Sequence, residues 1–352
     1  LTIAALMAKL QDAHVSFWNG DFLKKEFGEY LIDDVEFVFA EGEIVIVQTF
    51  DESSPFQAGD IVRKIDGVDI KDRIEHCKRY LGVPTDEKIE NVLQLWLFSS
   101  HSKTPEITVI RDKKEMTFTL NLDENMEFLW SRYGVNNEDG EPKPYEIIEG
   151  NIGVINPDFM DLQAGATHAN EVKWIEAMNA LKDTDGLIVD YRQYPANSQF
   201  YLPIYLFEEA EVGLLTATIS EAVPGTFLKE PVYNFNRKSR AAYLYDKEVV
   251  VLIDEHSQSA SEFAAMLVQN GEKVTLMGEN TVGADGYCLI LPIPGGNMVM
   301  YTACGIYTPD GGQTQRIGVS PDIEVKKTIE GCDEVKEAAI AYIQEQNGTK
   351  AK

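Results

Sequence analysis

The stretch "EVVVLIDEHSQSASEFAAMLVQNG" constrains the fold of this chain more tightly than any other. Residues 249–253 are five aliphatic side chains in succession, so a strand formed there has no polar face. Such strands are buried on both sides, as in a parallel sheet covered by helices. This one runs into a turn holding Ser257, Ser259 and Ser261, and then into an apolar stretch of helical character. Hydroxyls placed there sit at the positive end of a helix, where backbone N–H groups can stabilise an oxyanion. The same pattern is also a helix cap, with Glu262 three residues after Ser259 completing a capping box. From local pattern alone both readings stand.

The strand–helix alternation repeats. "NIGVINPDF", "DGLIVDYRQYP", "EKVTLMGE" and "MVMYTACGIYTP" are further short apolar runs. Helices are expected at "THANEVKWIEAMNALKD", "QFYLPIYLFEEA", "SASEFAAMLVQNG" and the closing "CDEVKEAAIAYIQEQ". Alternation of this kind predicts an α/β core around a largely buried sheet. The first third differs. Residues 2–13 carry Ile3, Leu6, Met7 and Leu10 at helical spacing, and "DAHVSFW" then alternates as a strand with His14, Ser16 and Trp18 on one face. "EFVFAEGEIVIVQTF" predicts two strands joined by a Glu-Gly turn. "AGDIVRKIDGVDI" adds turns at Gly59–Asp60 and at the Asp-Gly pair, followed by a helix over 72–80. A second helix is expected at "TDEKIENVLQLWLF" and a hairpin around "RDKK". The polar "GVNNEDGEPKP" reads as a linker or loop.

With 58 acidic against 31 basic residues the formal net charge is −27, which disfavours nucleic acid and anionic membrane surfaces as partners. No apolar run approaches the roughly 20 residues that span a bilayer. The opening "LTIAALMAKLQDAH" reads as an amphipathic helix and not as a signal peptide, so an upstream segment is expected to have been removed, with any export signal on it. Cys77, Cys288, Cys304 and Cys332 show no metal-ligand spacing and are expected to be reduced thiols, although Cys288 and Cys304 flank a turn and could face each other. No H-E-x-x-H or Cys/His cluster occurs, so neither metal nor cofactor is implied.

"SQSASEFAAMLVQNGEKVTLMGENTVGADG" and the later "YTPDGGQTQRIGVSPDIEV" resemble the serine peptidases of the C-terminal processing and tricorn type, with their S-x-S-E, G-E-x-T-x-G and G-V-x-P-D motifs. Three further pieces follow the family's order: "LQDAHVSFW" for its early D-G-H segment, "GLIVDYRQYP" for its D-x-R-x-x-P strand, and "SPFQAGDIVRKIDGVDI" for its embedded PDZ domain. The resemblance implies an α/β fold with a crotonase/ClpP-like catalytic core and an inserted, PDZ-like β-rich domain. On that basis residues 1–30 are a helix and strand of the core, 31–123 the PDZ-like domain, 124–145 a linker and 146–352 the peptidase core.

Carried over residue by residue, the resemblance makes Ser259 the nucleophile, with Ser257 and Ser261 supporting or capping. The processing branch places its lysine base after the glycine of T-x-G-K; here that position is Ala284, and the helping aspartate is Asn270, so a Ser–Lys dyad is excluded. His14 falls where the tricorn-like branch has its histidine and is the expected general base. The other histidines fit less well. His76 and His101 lie in or beside the PDZ-like block, His168 begins a helix without a family motif, and His256 sits three residues before Ser259 on a tight turn. Gln315 stands where the family has a glutamate, and Gln315, Asp285 and Glu279 are the candidates to orient the imidazole. The oxyanion hole is expected from the amide of Ala260 and from Ala196 or Asn197, in "YPANS" where the family has glycines.

The resemblance therefore implies a serine endopeptidase acting on polypeptide substrates, exported to a periplasm or cell envelope. The rival expectation is a catalytically inactive relative that binds peptides through the PDZ-like domain. It is favoured by Ala284, Gln315 and the replaced glycines. Cleavage specificity and oligomeric state are not read from these motifs.

Overall fold

The computed structural model describes residues 2–18, 20–32, 35–49, 53–85, 96–122, 143–157, 167–195, 199–328 and 333–350. The chain divides into two compact units. One comprises Leu1–Tyr133, Ile290–Tyr301 and Lys327–Asp333, and the other Gly134–Leu289, Thr302–Lys326 and Glu334–Lys352.

In the first unit, helix α1 (Thr2–Ala8) leads to strand β1 (Ser16–Trp18), helix α2 (Gly20–Phe27) and strand β2 (Tyr30–Leu31). A sheet follows with β3 (Val35–Ala40), β4 (Glu43–Thr49), β5 (Ile61–Ile65) and β6 (Val68–Asp69). Helix α3 (Ile70–Lys78) and β7 (Ser99–Ser100) precede β8 (Glu106–Arg111) and β9 (Lys114–Thr119). The strand order is β3-β4-β5-β8-β9, with β6 on β5. Three of its turns place two consecutive residues at positive φ: Glu41–Gly42, Asp66–Gly67 and Asp112–Lys113. Such turns match the right-handed twist of the strands they join. Phe27, Phe37, Ile46, Val62, Phe98 and Val109 build a core under this sheet. The expected helix over 2–13 stops at Ala8, because Gln11 adopts a φ of 51° that no α-helix accommodates. The helix expected at "TDEKIENVLQLWLF" lies mostly outside the described residues, as does most of the linker 124–145.

The second unit has β10 (Tyr145–Ile148), β11 (Ile152–Ile155), helix α4 (Thr167–Ala180), β12 (Gly186–Asp190) and helix α5 (Pro203–Leu206). Then come β13 (Val212–Ile219), β14 (Phe227–Tyr233), β15 (Glu248–Ile253), helix α6 (Ala260–Val268) and β16 (Val274–Gly278). Two strands that lie largely in the first unit, β17 (Cys288–Ile293) and β18 (Asn297–Thr302), pair with β1 in the order β1-β18-β17. β19 (Gly305–Tyr307), β20 (Ile323–Glu324) and helix α7 (Glu334–Lys350) complete the chain.

The central sheet runs β10-β11-β12-β15-β16-β20, parallel from β11 onward. Its alternating side chains feed two cores. Ile155, Leu187, Val189, Val249, Val251 and Ile253 face Trp174 and Met178 of α4, Leu181 just past it, and the apolar side of α6. Ile152, Val154, Ile188, Val250 and Leu252 face Val335, Ala339 and Ile343 of α7. Each buried aliphatic side chain contributes about 1.5–3 kcal/mol, so this three-layered arrangement follows from the unbroken apolar runs. At Gly186 a Cβ would overlap Ile343, which is how α7 comes to lie directly on β12.

Two expectations are corrected. "MVMYTACGIYTP" is not one strand; β18 and β19 belong to different sheets, β19 pairing with β13 beside β14. "QFYLPIYLFEEA" forms a single helical turn, ended by Phe207 in extended conformation.

Candidate active site

Strand β15 delivers the chain to a tightly bonded turn. The Asp254 amide donates to Ser257 Oγ at 3.0 Å, and Ser257 Oγ donates to the carbonyl of Tyr191, just past β12, at 2.9 Å. Ser261 Oγ donates to the Gln193 carbonyl at 2.9 Å. Ser257 and Ser261 are 0% and 1% exposed, so both hydroxyls are committed to the scaffold. Ser259, between them, is partly exposed. Its backbone stands at φ 57° and ψ −115°, a conformation that a residue with a Cβ rarely adopts. A strained serine at the junction of strand and helix is the geometry of a nucleophile elbow. Ala260, the first residue of α6, follows it with its amide at the helix N-terminus.

What holds Ser259 in this conformation is a second turn. The Ser259 amide donates to the Ala284 carbonyl at 3.0 Å, and Val282 donates to the Ser257 carbonyl at 3.1 Å. Glu262, 1% exposed, joins the two turns. One of its oxygens accepts Thr281 Oγ1 at 2.5 Å and the Gly283 amide at 2.7 Å. The other accepts the Ala284 amide at 2.9 Å and the Ser259 amide at 3.3 Å. Burial pushes the Glu262 carboxyl above its ordinary pKa, with the four donors pulling the other way. Gly283 has φ 78°, and a Cβ there would come within 2.8 Å of the backbone at Arg316 and Ile317.

Asp285 lies at the end of this turn, 4% exposed. Its Oδ1 accepts the Gly286 amide at 2.6 Å, while Oδ2 is buried with no hydrogen-bond partner. Burial, reinforced by the charge of Glu262, lifts its pKa well above the carboxylate range. Two carboxyls in one dry site do not both ionise.

The remaining candidates lie as follows. The Glu279 amide donates to the Ile253 carbonyl at 3.0 Å, at the end of β15. Gln315 lies in the loop whose Arg316 amide donates to the Gly283 carbonyl at 2.6 Å. His256 Nδ1 is 3.3 Å from Asp254 Oδ2, and His76 pairs with Glu26 at 3.0 Å. Ala196 and Asn197 lie outside the described residues. His14 belongs to the first unit, where it is 7% exposed and its amide donates to Asp12 Oδ1 at 2.9 Å. Burial pushes its imidazole below the ordinary pKa, against the opposing charge of Asp12.

Sequence reasoning missed two of these residues in their structural roles. Local pattern marks Glu262 only as a capping partner, and Asp12, the carboxylate beside His14, is signalled only by its place at the head of the segment that resembles D-G-H. Among the described residues no cluster suited to a metal ion occurs, no disulfide joins Cys288 to Cys304, and no helix is long and apolar enough to cross a membrane.

The turn at Ser259 is set in a layered α/β unit. A model of peptidase family S41 matches residues 151–325, and the chain belongs to that family. The carboxy-terminal-processing protease of Bartonella bacilliformis is 28% identical over 199 residues, covering 52% of this chain and 40% of that protein. The carboxyl-terminal-processing protease of Synechocystis sp. is 26% identical over 188 residues, covering 50% and 40%. The chain thus spans about two fifths of the length of these curated relatives. The structure of mature CPAF complexed with lactacystin is similar in fold, with a TM-score of 0.67 and 14% identity over 97% of this chain and 86% of that one.

Proposed function

We propose that this protein is a serine endopeptidase that cuts polypeptides through an acyl-enzyme on Ser259. The observation that carries the reading is the isolation of one hydroxyl: Ser257 and Ser261 are buried and bonded, and only Ser259 stands strained and accessible at a helix start. Ser259 Oγ attacks the scissile carbonyl and gives its proton to His14, which returns it to the leaving amine. A buried imidazole with a depressed pKa is neutral near pH 7, as a base must be. The amides of Ala260 and of Ala196 or Asn197 hold the oxyanion. Asp12 or one of Gln315, Asp285 and Glu279 orients the imidazole.

In this reading the second unit's sheet and helices are a crotonase/ClpP-like core, with residues 146–352 as the peptidase core and 1–30 contributing to it. Residues 31–123 are a PDZ-like domain past which substrate is threaded, joined through 124–145. The compartment is the periplasm or cell envelope. Ala284, in the position of the processing branch's lysine, favours the second reading, a peptide-binding relative without catalysis.

Digestion of an unfolded polypeptide, with the new chain ends identified by mass spectrometry, separates the two. Cleavage that falls at least about 10³-fold in Ser259→Ala is expected. A wild-type protein that leaves the substrate intact would contradict the endopeptidase reading.

A further inference from the structure

The second unit holds a cavity of about 640 Å³ to which four aromatic rings contribute. Phe235, 4% exposed, and the partly buried Tyr201 form its inner part, and Phe200 and Tyr233 stand at its mouth, 40% and 43% exposed. Glu171 and Arg237 give its rim both signs of charge, and the Arg237 guanidinium lies 5.6 Å from the Tyr233 ring centroid. Asn236 and Ser239 add polar groups to the lining, and a cavity of this volume that combines aromatic rings with a few polar groups is the pattern of a ligand site.

The cavity is linked to the nucleophile by two short contacts. Phe200 meets Phe263 edge-to-face, with ring centroids 5.7 Å apart. The Phe263 amide donates to the Ser259 carbonyl at 2.9 Å, one helical turn away. A helical turn rises about 5.4 Å and an extended peptide advances about 3.3 Å per residue. One helical turn and one ring contact thus separate Ser259 from the Phe200 side of the cavity, a span that about three or four extended residues can cover.

We propose that this cavity is a substrate subsite that takes an aromatic side chain, three or four residues from the bond being cut. The inference rests on the peptidase reading and names the class of polypeptide it serves. Four rings offer the edges and faces against which another ring packs in offset or perpendicular fashion, a preference that aliphatic side chains do not share. Arg237 and Glu171 at the rim are placed for the carbonyl and N–H groups of the chain that carries the side chain.

The test uses the full chain with Ser259→Ala, which binds peptide without consuming it. Fluorescein-labelled ten-residue Ala/Ser peptides, each with one Phe at a successive position, are titrated by fluorescence anisotropy. Peptides with a Phe are expected to bind at least about 10-fold more tightly than the peptide without one. Tyr233→Ala and Phe200→Ala, both at exposed positions, should each abolish most of that ratio. Wild-type protein should then cut the best binders three or four residues from the Phe. Equal affinity with and without Phe, or a preference that survives both substitutions, would overturn the proposal. So would self-association that Tyr233→Ala disperses, since the cavity would then serve a second copy. Tight, Phe-dependent binding without cleavage by wild-type would sink the peptidase reading alone and leave the aromatic peptide site standing.

Discussion

Ser259 sits at a backbone conformation that costs of the order of 1–3 kcal/mol for a residue with a side chain, and it persists because its amide is held from two directions. The serine was legible in the sequence, since S-x-S-E at a strand–helix junction narrows the choice to three hydroxyls. The choice among them rests on family resemblance; that the Ser257 and Ser261 hydroxyls donate to the carbonyls of Tyr191 and Gln193, 66 and 68 residues away, is a long-range feature that no local pattern records. His14 carries the prediction at this scale. Burial lowers its pKa, so the acid limb of kcat/KM against pH should have its midpoint below about 6.5. Asp12 opposes that shift, and Asp12→Asn should move the limb to still lower pH. A limb above 6.5, unmoved by the substitution, would count against His14 as base. The same depressed pKa makes stability fall as pH drops below about 6.5, because the unfolded chain binds the proton more readily.

Between elements, Glu262 fastens the start of α6 to the turn at residues 281–284. Glu262→Ala leaves a hydroxyl and two amides without an acceptor in a dry site, and takes from the Ser259 amide one of its two acceptors. Urea titration of the full chain should show a loss of about 3 kcal/mol or more. Glu262→Gln, which keeps one acceptor oxygen, should lose less. Equal stability of wild-type and Glu262→Ala would mean that the turn is held elsewhere. The capping box made half of this role visible from sequence. The other half was not, because its partners lie 19 to 22 residues away and no local pattern records them. The same limit applies to β18 and β19, which are contiguous and apolar yet divide between two sheets. Hairpins fared better: Glu41–Gly42, Asp66–Gly67 and Asp112–Lys113 are turns fixed by the residues in them.

At the scale of the molecule, the apolar runs made the parallel sheet legible, since β11, β12, β15 and β16 are buried on both faces. Membership of the two units was less so, because Ile290–Tyr301 and Lys327–Asp333 join the first unit from far along the chain. Composition gives no sign of that return; it depends on β18 finding β1, with Met298, Val299 and Met300 in register with Trp18, Phe17 and Ser16. The proposed chemistry pairs Ser259 as nucleophile with His14 as its base. Its most direct test is the rate at which a fluorophosphonate labels the intact protein, followed by mass spectrometry. A single adduct on Ser259 is expected, forming at least about 10²-fold more slowly in His14→Ala. The absence of an adduct, or a labelling rate that His14→Ala leaves unchanged, would contradict the account.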